Sequence, residues 1–121
     1  MARIFELQHK STLALRRRKG FLLRQLRPPP ELLRASYVEQ LLTCGKPACP
    51  CHRGQMHGPY YYLTLCLGPG RIRKFLLKSP EQQDQARRGT AAYSHFVEGL
   101  EELSQINAEL LRRGESLRSP G

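Results

Sequence analysis

The stretch Cys44–Tyr62 reads CGKPACPCHRGQMHGPYYY and contains three of the four cysteines of this 121-residue chain. A histidine follows the third of these cysteines by six positions. The spacing Cys44-x4-Cys49-x-Cys51-x5-His57 offers three thiols and one imidazole in a segment rich in glycine and proline. Zinc accepts a tetrahedron of sulfur and nitrogen donors, so this is the ligand set of a structural zinc site. The stretch therefore predicts a zinc-centred loop around which a small domain folds.

Two other side chains are alternatives for the fourth ligand. His52 directly follows a cysteine, and adjacent side chains rarely reach one ion together, so His57 is favoured over it. Cys66 lies further along the chain, in a predicted strand. A metal-free loop of reduced thiols is the main alternative to zinc, and a redox or nucleophilic cysteine is a lesser one. A Cys-His-Asp catalytic site is not indicated, since the nearest carboxylates, Glu39 and Glu81, lie outside the loop.

The same residues carry a resemblance to a protein family. The runs CGKPACPC and HGPYYYL, followed by a basic hairpin and a helix ending in SQINAELL, resemble a functionally uncharacterised bacterial and archaeal domain family. That family has a CGKPxCxC and HGPY(Y/W)YL signature, and the likeness covers about residues 30–113. The matching positions are Cys44, Gly45, Lys46, Pro47, Cys49, Cys51, His57, Gly58, Pro59 and Tyr60. His52 falls where the family pattern is loose, and the resemblance implies a fold and a site but no activity.

Net charge is the second informative feature of the chain. There are 20 Lys and Arg against 10 Asp and Glu, a formal net charge of +10. Residues 1–30 carry +7 and residues 59–78 carry +4. Such a surplus is typical of proteins that bind polyanions, nucleic acid first. The sequence contains no apolar run of about 18 residues and no signal-peptide pattern, so we expect a cytoplasmic protein with reduced cysteines and no membrane partner.

We expect the basic residues of the amino-terminal segment and of the hairpin to contact phosphates, and the hairpin tyrosines to stack on bases. The residues predicted to bind nucleic acid are Arg16, Arg17, Arg18, Lys19, Arg24, Arg27, Lys46, Tyr60, Tyr62, Arg71, Arg73 and Lys74. No base-specific readout is evident, and DNA and RNA are not distinguished. A solvated helix surface or a partly disordered arm is the alternative for the basic run, and ordinary strand packing is the alternative for the tyrosines.

The hydrophobic pattern predicts an α+β fold. Residues 2–27 are predicted to form a helix, which the prolines at 28–30 end because proline lacks an amide donor. The spacing of apolar residues predicts a second, short helix over 31–42. Alternation over 60–67, a Gly-Pro-Gly turn and a return over 71–78 predict an antiparallel hairpin of two or three strands.

A long carboxy-terminal helix is predicted to begin with Ser79 as the cap, Pro80 at the first helical position and Gln82 completing a capping box. It should run to about Arg113. Within it, apolar residues and one asparagine recur at alternating spacings of three and four. They are Tyr93, Phe96, Leu100, Leu103, Asn107 and Leu110. An asparagine in such a seam favours a two-stranded pairing, so the seam predicts a homodimer or partner interface, or packing on the first helix of the same chain.

We therefore expect a basic helix or arm over 1–30, a single Cys/His-loop domain over 31–113 and a flexible tail over 114–121. The expected function is that of a small non-catalytic nucleic-acid-binding protein, stabilised by structural zinc. As an accessory subunit it would bring DNA or RNA to a larger enzyme. The alternative is a metal-free interaction or dimerisation module that works through the long helix. Catalysis is not expected, since the sequence has no paired-carboxylate site, phosphate-binding loop or Ser-His-Asp set.

Overall fold

A computed structural model describes residues 3–118 of the chain. The elements in chain order are α1 (Thr12–Gln25), β1 (Ser36–Leu42), a short 3-10 helix (Pro50–Arg53), β2 (His57–Gly68), β3 (Arg71–Leu76) and α2 (Pro80–Arg112). The predicted α+β class is confirmed. The parts of our predictions that concern residues 1–2 and 119–121 lie outside the described residues.

The described chain forms two compact units. The first combines residues 3–29 with 94–118, and the second consists of residues 30–93. The second unit begins at the run of three prolines, where a continuous helix is excluded because proline fixes φ and lacks an N–H. α2 starts in the second unit and ends in the first.

The first unit has an apolar core between α1 and the carboxy-terminal half of α2. Its buried residues are Leu7, Leu15, Leu22, Ile106 and Leu110. α1 is shorter than the predicted helix over 2–27, because Ser11 caps it and accepts a hydrogen bond from the Ala14 N–H at 3.0 Å. The segment before α1 is held by Gln105, which accepts from the Phe5 N–H at 2.8 Å and donates to the Arg3 carbonyl at 2.6 Å.

The segment after α2 contacts α1 in its described part, although residues 114–121 are predicted to form a flexible tail. The Glu115 N–H donates to the Leu110 carbonyl at 2.9 Å, and the Glu115 carboxylate pairs with Arg16 at 3.2 Å. The carbonyl of Leu117 accepts a hydrogen bond from the Lys19 ammonium group. These contacts fix the start of the tail against α1.

The second unit is built on a three-stranded antiparallel sheet with β2 in the centre. The register places Tyr37 of β1 opposite Leu63 of β2, and Leu63 opposite Phe75 of β3. Leu63 is 3% exposed and packs with Leu77 and with Ala86 of α2. The amino-terminal half of α2 therefore packs on one face of the sheet at β1 and β2, whereas every residue of β3 is exposed. The alternation predicted for β2 is observed.

The predicted helix over 31–42 is wrong. This segment contains β1 (Ser36–Leu42), which pairs along its length with β2. The apolar residues of this segment fit a helical spacing, but Tyr37 and Val38 are also residue types that favour strands. The neighbouring strand β2 provides backbone hydrogen-bond partners for β1. Tyr37 also stacks on Tyr61, with ring centroids 5.6 Å apart. Tertiary pairing has overridden the local pattern.

The predicted start of the long helix is confirmed. The Gln82 N–H donates to Ser79 Oγ at 3.1 Å, and Gln82 Oε1 accepts from the Lys78 N–H at 2.8 Å. The side chain of Gln82 thus reaches the residue before the cap. α2 ends one residue before the predicted Arg113. Within residues 3–118, no helix combines the length and apolar character that crossing a membrane requires.

Gly89 lets the segment before β1 approach α2 closely. The Leu33 N–H donates to the Gly89 carbonyl at 3.0 Å. A Cβ at position 89 would lie 2.4 Å from the carbonyl oxygen of Glu31 and 2.7 Å from Leu33 Cδ1. A backbone oxygen cannot retreat as a flexible side chain can, so this position requires glycine.

We expect Gly89→Ala to lower the free energy of unfolding by about 1–3 kcal/mol, because the added methyl group overpacks the contact. Gly20→Ala is the matched control. A Cβ there would lie 3.4 Å from the end of the Arg24 side chain, so alanine should raise the free energy of unfolding by about 0.5–1 kcal/mol through helix propensity. Urea denaturation measures both changes. A Gly89→Ala protein as stable as the wild type would contradict the close approach.

Candidate functional site

The predicted Cys/His loop connects β1 to β2 and contains the 3-10 helix Pro50–Arg53. Gly54 ends this helix at a φ of 102°, where glycine has no steric penalty. Cys51, within the helix, is 2% exposed. The chain then returns to His57, which lies opposite Leu42 at the end of β1. Pairing of the two strands therefore brings both ends of the loop together.

The four predicted metal ligands converge in this loop. The ligating atoms of Cys44, Cys49, Cys51 and His57 all lie within 4.8 Å of one another. Cys51 Sγ is 3.6 Å from Cys44 Sγ, and Cys49 Sγ is 3.3 Å from His57 Nε2. Sulfur ligands of a tetrahedral zinc ion lie about 3.8 Å apart, since zinc–sulfur bonds are about 2.3 Å long. These separations fit a single ion, so the cluster could hold a metal ion such as zinc.

The two alternative ligands lie outside this cluster. His52 Nε2 is 2.8 Å from the carbonyl oxygen of Cys44. A carbonyl oxygen accepts, so this ring nitrogen carries the proton and donates. Cys66 is exposed in β2, with its Sγ 3.7 Å from the Gly68 carbonyl. His52 thus fixes the backbone of one ligand residue instead of joining the ligand set.

Hydrogen bonding and burial act in opposite directions on two of the thiols. A backbone hydrogen bond with Lys46, together with hydrogen bonds with His57 and Cys49, lowers the pKa of Cys44 to about 6. Burial raises the pKa of Cys51, although its Sγ accepts from the Cys44 N–H at 3.2 Å. Thiolates are the form that binds metal, and binding releases thiol protons. With its lowered pKa, Cys44 is available as a thiolate near neutral pH. A bound cation would offset the cost of ionising the buried Cys51 thiol.

The basic run on α1 is largely engaged inside the first unit. Arg18 donates twice to Glu102, at 2.6 and 2.8 Å, and this pairing lowers the pKa of the Glu102 carboxyl. Lys19 is 6% exposed and donates to the carbonyl of Leu117. Arg16 pairs with a carboxylate of the carboxy-terminal segment at 3.2 Å. These three cations have less charge to offer a phosphate than the sequence alone indicates.

The other predicted phosphate-binding residues of the amino-terminal segment are Arg17, Arg24 and Arg27. All three are exposed. None of them forms an ion pair within residues 3–118. A polyanion could therefore reach all three.

The second unit contains positive charge that has no carboxylate partner in the described chain. Residues 34–78 contain seven Lys and Arg against a single acidic residue, Glu39, a net charge of +6. The seven are Arg34, Lys46, Arg53, Arg71, Arg73, Lys74 and Lys78. In the described part of the chain, no ion pair involves any of them. The largest block of charge without a carboxylate partner therefore lies in the loop and the sheet.

α2 packs on one face of the sheet, and we call the opposite face the open face. By strand register, the open face carries Val38, Tyr60, Tyr62, Ile72, Lys74 and Leu76. Three of the predicted nucleic-acid-binding residues, Tyr60, Tyr62 and Lys74, thus share one surface. Arg73 lies on the other side of β3, and Arg71 lies beside the turn opposite Gly68.

The predicted interface seam on α2 is partly used within the first unit. Leu103 and Leu110 pack in its core. Ile106, which the predicted seam omits, is fully buried, and the buried Asn107 Oδ1 has no hydrogen-bond partner in the described chain. The spacing through Gly99, Leu103, Ile106 and Leu110 is also heptad-like. This heptad pattern, which contains Ile106, is also present in the sequence, but the asparagine favoured the predicted pattern that contains Asn107.

The remaining seam residues are less enclosed. Tyr93 belongs to the second unit and is half-buried, as is Phe96 in the first. Leu100 is 44% exposed. Packing on α1, the alternative to an intermolecular pairing, therefore accounts for the carboxy-terminal part of the seam.

Part of the chain matches a family model. Residues 12–65 match a family model described as a domain of unknown function (DUF6788). The match covers less than half of the chain and includes α1, β1 and the four residues of the Cys/His cluster. It agrees with the expected resemblance to an uncharacterised domain family and leaves the CGKPxCxC signature untested. No curated protein and no solved structure matches the chain.

The geometry predicts different effects for the two histidines of the loop. His52→Ala should weaken zinc binding about 10- to 100-fold, because it removes only a supporting hydrogen bond. His57→Ala removes a ligand and should weaken it more. Competition with a chromophoric zinc chelator measures both dissociation constants. A larger loss for His52→Ala than for His57→Ala would show that the ligand assignment is wrong.

Proposed function

We propose that the protein is a small non-catalytic nucleic-acid-binding protein whose Cys/His loop is held by a structural zinc ion. The convergence of four donor atoms within 4.8 Å is the observation that carries the zinc assignment. The unpaired charge of residues 34–78 carries the nucleic-acid assignment. In this role the protein would act as an accessory subunit that brings DNA or RNA to a larger enzyme.

The loop itself supports a metal. Among residues 43–56, Cys51 is the one buried side chain, and a 3-10 helix of 4 residues is the one regular element. Loops of about 12–15 residues without their own structure are uncommon in small domains unless function or a crosslink accounts for them. The core of the second unit is also small, with Leu63, Leu77 and Ala86 as its buried residues. A metal ion would supply the cohesion that apolar burial does not.

The ligand chemistry favours zinc in a structural role. Three soft thiolates and one imidazole suit zinc, which has no geometric preference of its own. Four protein ligands complete the tetrahedron and leave no position for a reacting water. No carboxylate joins the cluster in the part of the chain that the structure describes. This arrangement supports a non-catalytic protein.

The charge distribution supports a polyanion surface centred on residues 34–78. A cation that already pairs with a carboxylate gains less from a phosphate, because the existing interaction must be given up. Two of the four cations of the run on α1, Arg16 and Arg18, pair with carboxylates within the first unit, and Lys19 is buried. The seven cations of residues 34–78 have no carboxylate partner in the described chain, and each one that contacts a phosphate would release counterions on binding.

We expect protein purified without a histidine tag to contain about one zinc per chain, and Cys49→Ser to lose both the metal and most of the stability of the second unit. Metal-binding energy is folding energy in such sites, about 10–16 kcal/mol for small zinc domains. Cys66→Ser is the matched control, since Cys66 is exposed and lies outside the cluster. Elemental analysis and melting temperature are the measurements. Equal zinc content and melting temperature in the two variants would exclude the site.

We expect affinity for a generic duplex and a single strand to fall steeply with salt. The variant Lys46→Gln/Arg53→Gln/Arg71→Gln should reduce the slope of log affinity against log salt by about two to three. The variant Arg17→Gln/Arg24→Gln/Arg27→Gln removes the same charge from the first unit and should change the slope less. Wild-type affinity that does not change with salt concentration would contradict the proposal. A larger change of slope in the Arg17/Arg24/Arg27 variant would assign the binding surface to the amino-terminal segment.

A further inference from the structure

We propose that the open face of the sheet binds single-stranded nucleic acid, with Tyr60 stacking on a base and Lys74 contacting a neighbouring phosphate. This inference rests on the proposed nucleic-acid-binding function and assigns it a surface. It depends on which side chains the strand register places together and on how exposed they are.

The open face exposes apolar surface in the middle and at the edge of the sheet. Ile72 is 65% exposed, Leu76 is 39% exposed and Tyr60 is 37% exposed. α2 packs on the other face, where Leu63 contacts Ala86. Exposed apolar surface rimmed by polar residues is typical of binding sites.

Charge identifies the occupant as a polyanion. The strand positions of the open face carry no acidic residue, because Glu39 lies on the covered face opposite Tyr61. Lys74 lies on the open face, and residues 34–78, which contain the sheet and the Cys/His loop, have a net charge of +6. An anionic strand would meet complementary charge here, whereas a basic or neutral protein surface would not.

The tyrosines indicate unpaired bases. Tyr60 and Tyr62 are two residues apart on the central strand, so their side chains leave the same face about 7 Å apart. Bases stack on aromatic rings with little sequence preference, but only when they are not already stacked inside a duplex. A flat sheet face can therefore accept a single strand more readily than a double helix.

The two tyrosines have different surroundings and so different roles. Lys74 Nζ lies 4.3 Å from the ring centroid of Tyr62 and 2.8 Å from Gln40 Oε1. These contacts hold the ammonium group of Lys74 beside the ring of Tyr62, which neighbours Tyr60 on the open face. Tyr60 is the more exposed of the two rings and is the one available for stacking.

Binding of labelled oligo-dT and oligo-U of about 12 nucleotides, and of a duplex of the same length, tests the proposal by fluorescence anisotropy. We expect Tyr60→Leu to weaken single-strand binding about 5- to 100-fold, with duplex binding and the salt slope unchanged. Tyr60→Phe retains the ring and should bind as the wild type does. Comparison of the two oligonucleotides identifies RNA or DNA as the preferred strand.

Ile72→Glu provides a second variant whose folding is not in question, because the side chain is 65% exposed. The added negative charge on the open face should weaken single-strand binding. Val97→Glu makes the same change at a 38% exposed position of α2 in the first unit, and should have a smaller effect.

Three results would overturn the inference. Tyr60→Leu and Ile72→Glu proteins that bind single strands as the wild type does, while salt-dependent binding persists, would remove the open face and leave the proposed function intact. A wild-type dimer that Ile72→Glu converts to a monomer in light scattering, with nucleic-acid binding unchanged, would assign the face to a second copy of the chain. Wild-type protein that binds no probe at low salt would remove the proposed function as well.

Discussion

The convergence of Cys44, Cys49, Cys51 and His57 is the constraint on which the loop and the sheet depend. These four donor atoms join the end of β1 to the start of β2 across a segment that has almost no buried surface of its own. Strand pairing brings the ends of the loop together, and the four donor atoms converge within it. Because apolar burial is scarce in this segment, an ion bound by the four donors would contribute directly to folding.

The fold distributes the positive charge unevenly between cations that pair with carboxylates and cations that do not. A net charge of +10 predicts a polyanion partner but does not locate it. Packing of α1 against α2 places Arg18 beside Glu102 and buries Lys19, so part of the basic run serves the first unit. The sheet and the Cys/His loop have one acidic residue, and their cations remain without carboxylate partners in the described chain. The number of acidic side chains near each group of cations therefore decides which cations remain available to a ligand.

α2 is one continuous helix that contributes residues to both units. In the second unit Ala86 packs on the sheet, and Gly89 admits the segment before β1. In the first unit Leu103 and Ile106 pack toward α1. The small residues allow close backbone approach and the large ones fill the core. α2 packs on one face of the sheet, and aromatic and basic residues of different strands meet on the open face.

The sequence by itself determined the members of the Cys/His cluster, the central hairpin and the start of α2, because short spacings, strand alternation and capping residues specify them locally. Tertiary structure alone decided that Ser36–Leu42 is a strand, since its apolar spacing fits a helix until β2 supplies a partner. The tertiary structure also buries Ile106 of α2 in the core of the first unit, where the sequence pattern favoured Asn107. It places the His52 ring against the carbonyl of Cys44, outside the Cys/His cluster. Each of these outcomes depends on atoms whose positions no local pattern specifies: the adjacent strand, the face of α1 and the carbonyl of Cys44.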